Sequence, residues 1–266
     1  MGCIESWSRT NPDLQVWFLV RCKRLMDEDG LLRKLLQHYP NLRLALLQPE
    51  AVLKNTPILG VFNRRFKDCK WQAAHLSDFL RMALLWKFGG FYSDTDTVCI
   101  KSVSHLHNVV GLTNDRSLNS AVCHFDKGHE LPRDIMKRIR KTYDAGNYFS
   151  NILAVGKKIK EACGITHNKE LITLPGNDTC QGVTVMPSEA FFPLNGRGNS
   201  KLYFQPKKAH DFKQTFNSSY TLHLAYTWST REEIVPVGNG TLYEKAIQLY
   251  SPITYKAIME KHIDFF

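Results

Sequence analysis

No run in the 266 residues is long and apolar enough to cross a bilayer, and the opening residues lack the composition of a secretory leader. Cysteine and histidine nowhere fall at zinc-finger spacing. RNP-like aromatic motifs are missing too, so the basic side chains are not interleaved into a base-stacking surface, and nucleic acid is not an expected partner. Negative charge is scarce: 25 acidic residues face 35 Lys and Arg, giving a formal charge of +10 and an isoelectric point near 9.2. That balance suits acidic partners, which include nucleotide diphosphates and anionic membranes. What is present has the composition of a globular protein, and the length supports one substantial core, so one domain with appended segments is expected.

The excess positive charge clusters at Lys137-Arg138-Ile139-Arg140-Lys141, at Lys157-Lys158-Ile159-Lys160 and at Lys207-Lys208, which read mainly as solvated helix faces and loops. Seven cysteines, Cys3, Cys22, Cys69, Cys99, Cys123, Cys163 and Cys180, form an odd set without metal spacing.

Taken in order, Cys3 to Thr10 reads as a helix end broken by Asn11-Pro12. Gln15 to Arg21, with V-W-F-L-V, reads as a central strand covered on both faces. Asp29-Gly30 turns the chain into a helix, Leu31 to His38, followed by a strand, Leu42 to Leu47. This alternation predicts an α/β fold with a mostly parallel sheet. Leu106 to Leu112 is a further apolar segment, Ser120 to Phe125 reads as a strand, Leu131-Pro132 opens a basic amphipathic helix to about Tyr143, and Asn151 to Cys163 reads as another helix or helix-like segment. Phe191-Phe192, Tyr203 and Phe204 read as core, and His75 as a packing residue. Ser219 to Leu224 reads as a late strand carrying His223, and two short helices parted by Ser251-Pro252 close the chain.

The most informative stretch is Ser77 to Ile100, S-D-F-L-R-M-A-L-L-W-K-F-G-G-F-Y-S-D-T-D-T-V-C-I. Ser77 is a suitable N-cap for a helix whose apolar members Phe79, Met82, Ala83, Leu84, Trp86 and Phe88 cover one broad face. Gly89 and Gly90 stop it, and a short strand delivers Asp94 and Asp96. Asp78 and Arg81 stand three apart on the helix and can address one polar ligand together. Two close carboxylates need neutralising, and a divalent cation carrying phosphate oxygens would do so. An isolated Asp-x-Asp is commonplace in turns, where it caps backbone groups. Here it follows a hydrophobic helix, a double glycine and an aromatic strand start.

That whole string resembles the donor-site signature of retaining GT-A glycosyltransferases with a Ser-Asp-x-x-Arg helix, and most closely the family of lactosylceramide 4-alpha-galactosyltransferase and its alpha-1,4-N-acetylglucosaminyltransferase relatives. The resemblance runs from Cys3 to about Tyr255. It implies a GT-A-like nucleotide-diphospho-sugar transferase fold, a mostly parallel central sheet flanked by helices, with about 1–125 forming the donor part and about 126–266 the acceptor side and C-terminal cover. Mn²⁺ on Asp96 and Asp94, with His223 as a weaker third ligand, would bridge a UDP-sugar, while Asp78, Arg81 and Tyr92 would contact the donor. The implied reaction moves galactose or an N-acetylhexosamine in alpha-1,4 linkage to a glycolipid acceptor at a membrane surface. Family members are type II Golgi membrane proteins with lumenal catalytic domains. The opening C-I-E-S-W-S-R-T-N-P is similar to an internal segment of that domain, so cytoplasmic tail, signal anchor and first strand are expected to lie outside this chain. Cys163 and Cys180 look like a family disulfide pair, and sequons at Asn177, Asn217 and Asn239 fit a glycosylated lumenal chain.

Two departures bear on activity. The Gly-Pro expected after the basic helix is absent, the chain reading Y-F-S-N-I-L-A-V-G-K-K-I-K, and His223 leads into Leu-Ala-Tyr-Thr-Trp instead of Trp-Asn-Lys. They imply an alternative: a GT-A-like protein that binds UDP-sugar or glycan without turnover.

Overall fold

The computed structural model describes residues 1–22, 27–113, 117–167, 170, 179–194, 200–206, 212–225 and 236–263. Its helices are α1 (Gly2–Thr10), α2 (Leu31–His38), α3 (Pro49–Leu53), α4 (Leu59–Arg64), α5 (Gln72–Phe88), α6 (Glu130–Thr142), α7 (Ser150–Ala162), α8 (Ser188–Phe191), α9 (Phe212–Thr215), α10 (Leu242–Tyr250) and α11 (Pro252–Glu260). Its strands are β1 (Val16–Val20), β2 (Leu42–Leu46), β3 (Gly90–Ser93), β4 (Thr97–Cys99), β5 (Val109–Leu112), β6 (Leu118–Phe125), β7 (Thr179–Cys180), β8 (Val183–Met186) and β9 (Thr221–His223). They gather into two compact units, one of Met1–Leu46, Asp94–His105 and Ser188–Phe266, the other of Leu47–Ser93 and Leu106–Pro187.

The second unit is built on a five-stranded sheet of order β3-β6-β5-β8-β7. Helices α5, α6 and α7 pack together, and α5 and α7 reach β6. The α/β class, a central sheet flanked by helices, is the one expected. Its parallel character is confined in this sheet to β5–β8, because hairpin-length connections such as β5 to β6 can join only antiparallel strands. Phe79, Met82 and Ala83, three and four apart on α5, are almost fully buried with Phe125, Ile135, Met136 and Val183. Each large side chain so enclosed contributes about 1.5–3 kcal/mol.

Helix α5 begins five residues before the expected cap. Trp71 is its N-cap, without a side-chain bond, because buried His75 and Leu76 extend the apolar face back by a turn. Ser77 is therefore an interior residue, its hydroxyl bonded to the Tyr92 hydroxyl at 2.8 Å. Phe88, expected on the buried face, is 67% exposed, past the end of the packed stripe. Gly89 ends the helix at φ +73°, where a Cβ would come within 2.6 Å of the Lys127 backbone nitrogen, so no other residue fits. His75 is a packing residue as expected: Nδ1 lies 3.1 Å from both Cys69 Sγ and the Tyr143 hydroxyl. Cys163 and Cys180 are disulfide-bonded.

The first unit holds two small sheets, parallel β1–β2 and antiparallel β4–β9. Strand β1 is not enclosed on both faces: Trp17 is 55% exposed, and with Leu44 and Leu46 of the paired β2 also exposed, part of this two-stranded sheet is left uncovered. Helix α1 is buried nearly all round and carries Glu5, fully enclosed, against the start of α11. Glu5 Oε1 accepts from Ile253 N–H at 2.8 Å and from the Tyr39 hydroxyl at 3.1 Å, and Oε2 accepts from Thr254 N–H at 2.7 Å. Two of the orphan donors at that helix start are thus satisfied by a carboxylate from elsewhere in the chain. Burial, with Glu5 second, pushes the Tyr39 phenol up to about 12, so it remains a donor.

Candidate active site

Asp94 follows β3 directly, and Asp96 precedes β4, so the D-T-D triplet is the turn between two strands. The short β4–β9 ladder sets Thr97 opposite His223, and Leu224 N–H bonds to the Asp96 carbonyl at 2.9 Å. This register carries the His223 imidazole to the Asp96 carboxylate, Nε2 to Oδ1 3.4 Å. Ligand atoms of Asp94, Asp96 and His223 all lie within 4.8 Å of one another. Two carboxylates and an imidazole make a donor set that suits a divalent ion such as Mn²⁺. His223 is buried with its ring edge-on to Phe192 at 5.5 Å, and no described residue bonds to its Nδ1. Residues Tyr226 and Trp228, at the second departure from the family pattern, lie outside the described residues.

Helix α1 supports this turn, a role that no sequence pattern announces. Trp7 Nε1–H donates to Thr97 Oγ1 at 3.2 Å, Thr97 Oγ1–H donates to the Asp94 carbonyl at 2.9 Å, and Cys3 Sγ lies 3.6 Å from that same carbonyl. Burial outweighs these bonds and pushes the Cys3 thiol up to about 11, so it stands beside Asp94 as a neutral donor. Thr97→Val keeps the shape but breaks the relay. It should cost about 1 kcal/mol of stability and weaken Mn²⁺ binding several-fold in a calorimetric titration; unchanged affinity would mean that the ladder alone holds the turn.

Asp78 and Arg81 form a pair at 3.3 Å on α5, with side chains only 13% and 6% exposed. Arg81 also donates to Ser120 Oγ at 2.6 Å and lies over the Tyr92 ring, 4.6 Å from its centroid. Asp78 Oδ2 accepts from Asn151 Nδ2 at 3.3 Å. The amide oxygen of Asn151, fully buried, has no hydrogen-bond partner among the described residues. A carboxylate fixed between a guanidinium and an amide, with a spare acceptor beside it, is a rigid polar surface suited to hydroxyl groups. Ser120 and Asn151 were not among the expected site residues, since each joins the helix only through long-range folding.

A second compact group, His107, His124 and Asp126, is less suited to a metal. His124 Nδ1 already accepts from Asn108 N–H at 3.0 Å, leaving the proton of the neutral ring on Nε2. An ion there would have to displace that proton or that bond. Burial, then the neighbouring His107, holds the His124 ring below its ordinary pKa and so neutral.

The α/β architecture and the Asp-x-Asp turn are those of a GT-A-type glycosyltransferase, and the turn with its histidine forms a cluster able to hold a metal ion. Residues 124–258 match the family described as "Alpha 1,4-glycosyltransferase conserved region", and residues 1–116 match "Glycosyltransferase sugar-binding region containing DXD motif". The chain belongs to the alpha 1,4-glycosyltransferase family. It is 28% identical to lactosylceramide 4-alpha-galactosyltransferase of Mus musculus across 97% of this chain and 71% of that protein. The Homo sapiens protein of the same name is 27% identical, across 97% and 72%. The Homo sapiens alpha-1,4-N-acetylglucosaminyltransferase is 24% identical, across 83% and 63%.

Proposed function

We propose that this chain transfers galactose or an N-acetylhexosamine from its UDP-sugar, in alpha-1,4 linkage, to the terminal sugar of a glycosphingolipid on the lumenal side of the Golgi membrane. The observation that supports this most is the convergence of Asp94, Asp96 and His223 within 4.8 Å, in a chain similar to lactosylceramide 4-alpha-galactosyltransferases. In this reading those three side chains hold Mn²⁺, which when bound neutralises the diphosphate and stabilises the charge that grows on departing UDP.

The remaining work falls to the chain itself. Asp78 accepts from donor-sugar hydroxyls, and its neighbours Arg81 and Asn151 keep it from turning away. Arg81, held by Ser120 and stacked on Tyr92, presents a fixed cation to the donor. Attack by the acceptor on the face that UDP leaves would retain configuration without a nucleophilic carboxylate from the protein.

The test is UDP release with Mn²⁺ from UDP-galactose, UDP-N-acetylgalactosamine and UDP-N-acetylglucosamine, each with and without a lactosyl acceptor. Acceptor-dependent release with one donor is expected. Mn²⁺-dependent binding of UDP-sugar without release would replace this reading by the non-catalytic one, which the missing Gly-Pro before α7 favours.

A further inference from the structure

We propose that the tip of the α6–α7 hairpin, together with the turn before α5, docks on the surface of an anionic lipid bilayer. Side chains that a globular fold normally encloses stand outside here: Phe149, Ile152 and Leu153 are 46%, 38% and 62% exposed. Phe149 and Leu153 are four apart along one line of α7, the Leu153 N–H bonding to the Phe149 carbonyl at 2.9 Å. The Tyr148 ring lies 5.1 Å from Phe149 and 5.8 Å, edge-on, from Trp71. Trp and Tyr beside a small aliphatic wedge are the composition of a bilayer interface, where amphipathic rings sit at headgroup level.

Charge selects the occupant. Lys70 adjoins Trp71, Lys141 stands at the end of α6, and Lys157 is one turn beyond Leu153; all three are exposed and none is ion-paired among the described residues. Arg65, also exposed, donates to the Tyr143 carbonyl and lies 5.4 Å from the centre of that ring. Segments 64–71 and 141–157 carry six Lys and Arg against two carboxylates, Asp68 and Asp144. Further along the same helices several cations are neutralised, Arg133 by Glu130, Lys137 by Asp134, and Arg138 and Lys158 by Glu161. Uncompensated cations therefore remain beside the apolar wedge. A second copy of this chain would set like charges against each other, whereas an anionic bilayer accepts both wedge and cations.

This deepens the glycolipid reading by placing a membrane contact on the chain, but it is measured without turnover, so either can fail alone. The full chain, without metal or donor, is sedimented with phosphatidylcholine vesicles and with vesicles also containing an acidic glycosphingolipid, an anionic lipid of the class a lumenal protein would meet. Wild-type protein should partition to the anionic vesicles and come off as salt rises. Phe149→Ser with Leu153→Ser should lower partitioning about tenfold or more with the thermal midpoint unchanged, since both side chains are already exposed. Lys70→Glu with Lys141→Glu, which leaves the wedge intact, should lose the preference for anionic vesicles. Wild-type protein that stays in the supernatant at low salt, or variants that sediment as well as wild type, would overturn the proposal. So would a dimer seen by light scattering and dispersed by Leu153→Ser, which would assign the tip to a second copy.

Discussion

Asp96→Asn is expected to lower acceptor-dependent UDP release by roughly a thousandfold, the scale on which removal of one charge-stabilising group acts in a preorganised site. The substitution keeps the shape of the side chain and removes only its charge. Asp96 is the carboxylate to choose because His223 Nε2 sits 3.4 Å from it and the Asp96 carbonyl anchors the β9 end of the ladder through Leu224. Mn²⁺ binding should weaken in parallel, and circular dichroism should be unchanged. Asp94→Asn is the companion measurement. Release that survives in Asp96→Asn within about tenfold of wild type would move the metal centre away from this turn.

Glu5→Gln should destabilise the first unit by about 2–4 kcal/mol, because a buried carboxylate accepting three hydrogen bonds becomes an amide with one acceptor and one misplaced donor. At the roughly 2–4 °C per kcal/mol typical of chains of this size, the unfolding midpoint should fall by about 5–15 °C. The donors left behind are Ile253 N–H, Thr254 N–H and the Tyr39 hydroxyl. Tyr39→Phe removes only one of them and should cost far less. A midpoint for Glu5→Gln within about 2 °C of wild type would mean that water serves the start of α11 equally well.

The contrast between those residues explains what could be read in advance. Asp94 and Asp96 were legible because helix, glycine pair, strand and acidic turn lie in one short string, where local geometry carries the signal. Helices α2, α6 and α7 were placed nearly to the residue by their apolar spacing and their Gly, Pro and Asn punctuation. Glu5 was not legible: a glutamate in a helix reads as solvated, and the two backbone donors it serves lie about 250 residues away in the chain. Asn151, Ser120 and Trp7 were missed for the same reason. Ser77 misled because a good capping residue inside a longer helix looks the same in sequence as one at its start. Strand β1 misled through its composition, V-W-F-L-V being apolar whether or not anything covers it.

Because β9 supplies His223, the candidate metal centre has an order of assembly. The ribosome delivers both aspartates well before the histidine, and more than a hundred residues must emerge before β4 finds its partner. Closing so long a loop costs little extra entropy per residue but delays the contact. A nascent chain stopped before Thr221 would carry both carboxylates without the third ligand, so the site is finished only with the last part of the chain, and the ion would report that synthesis had passed that point.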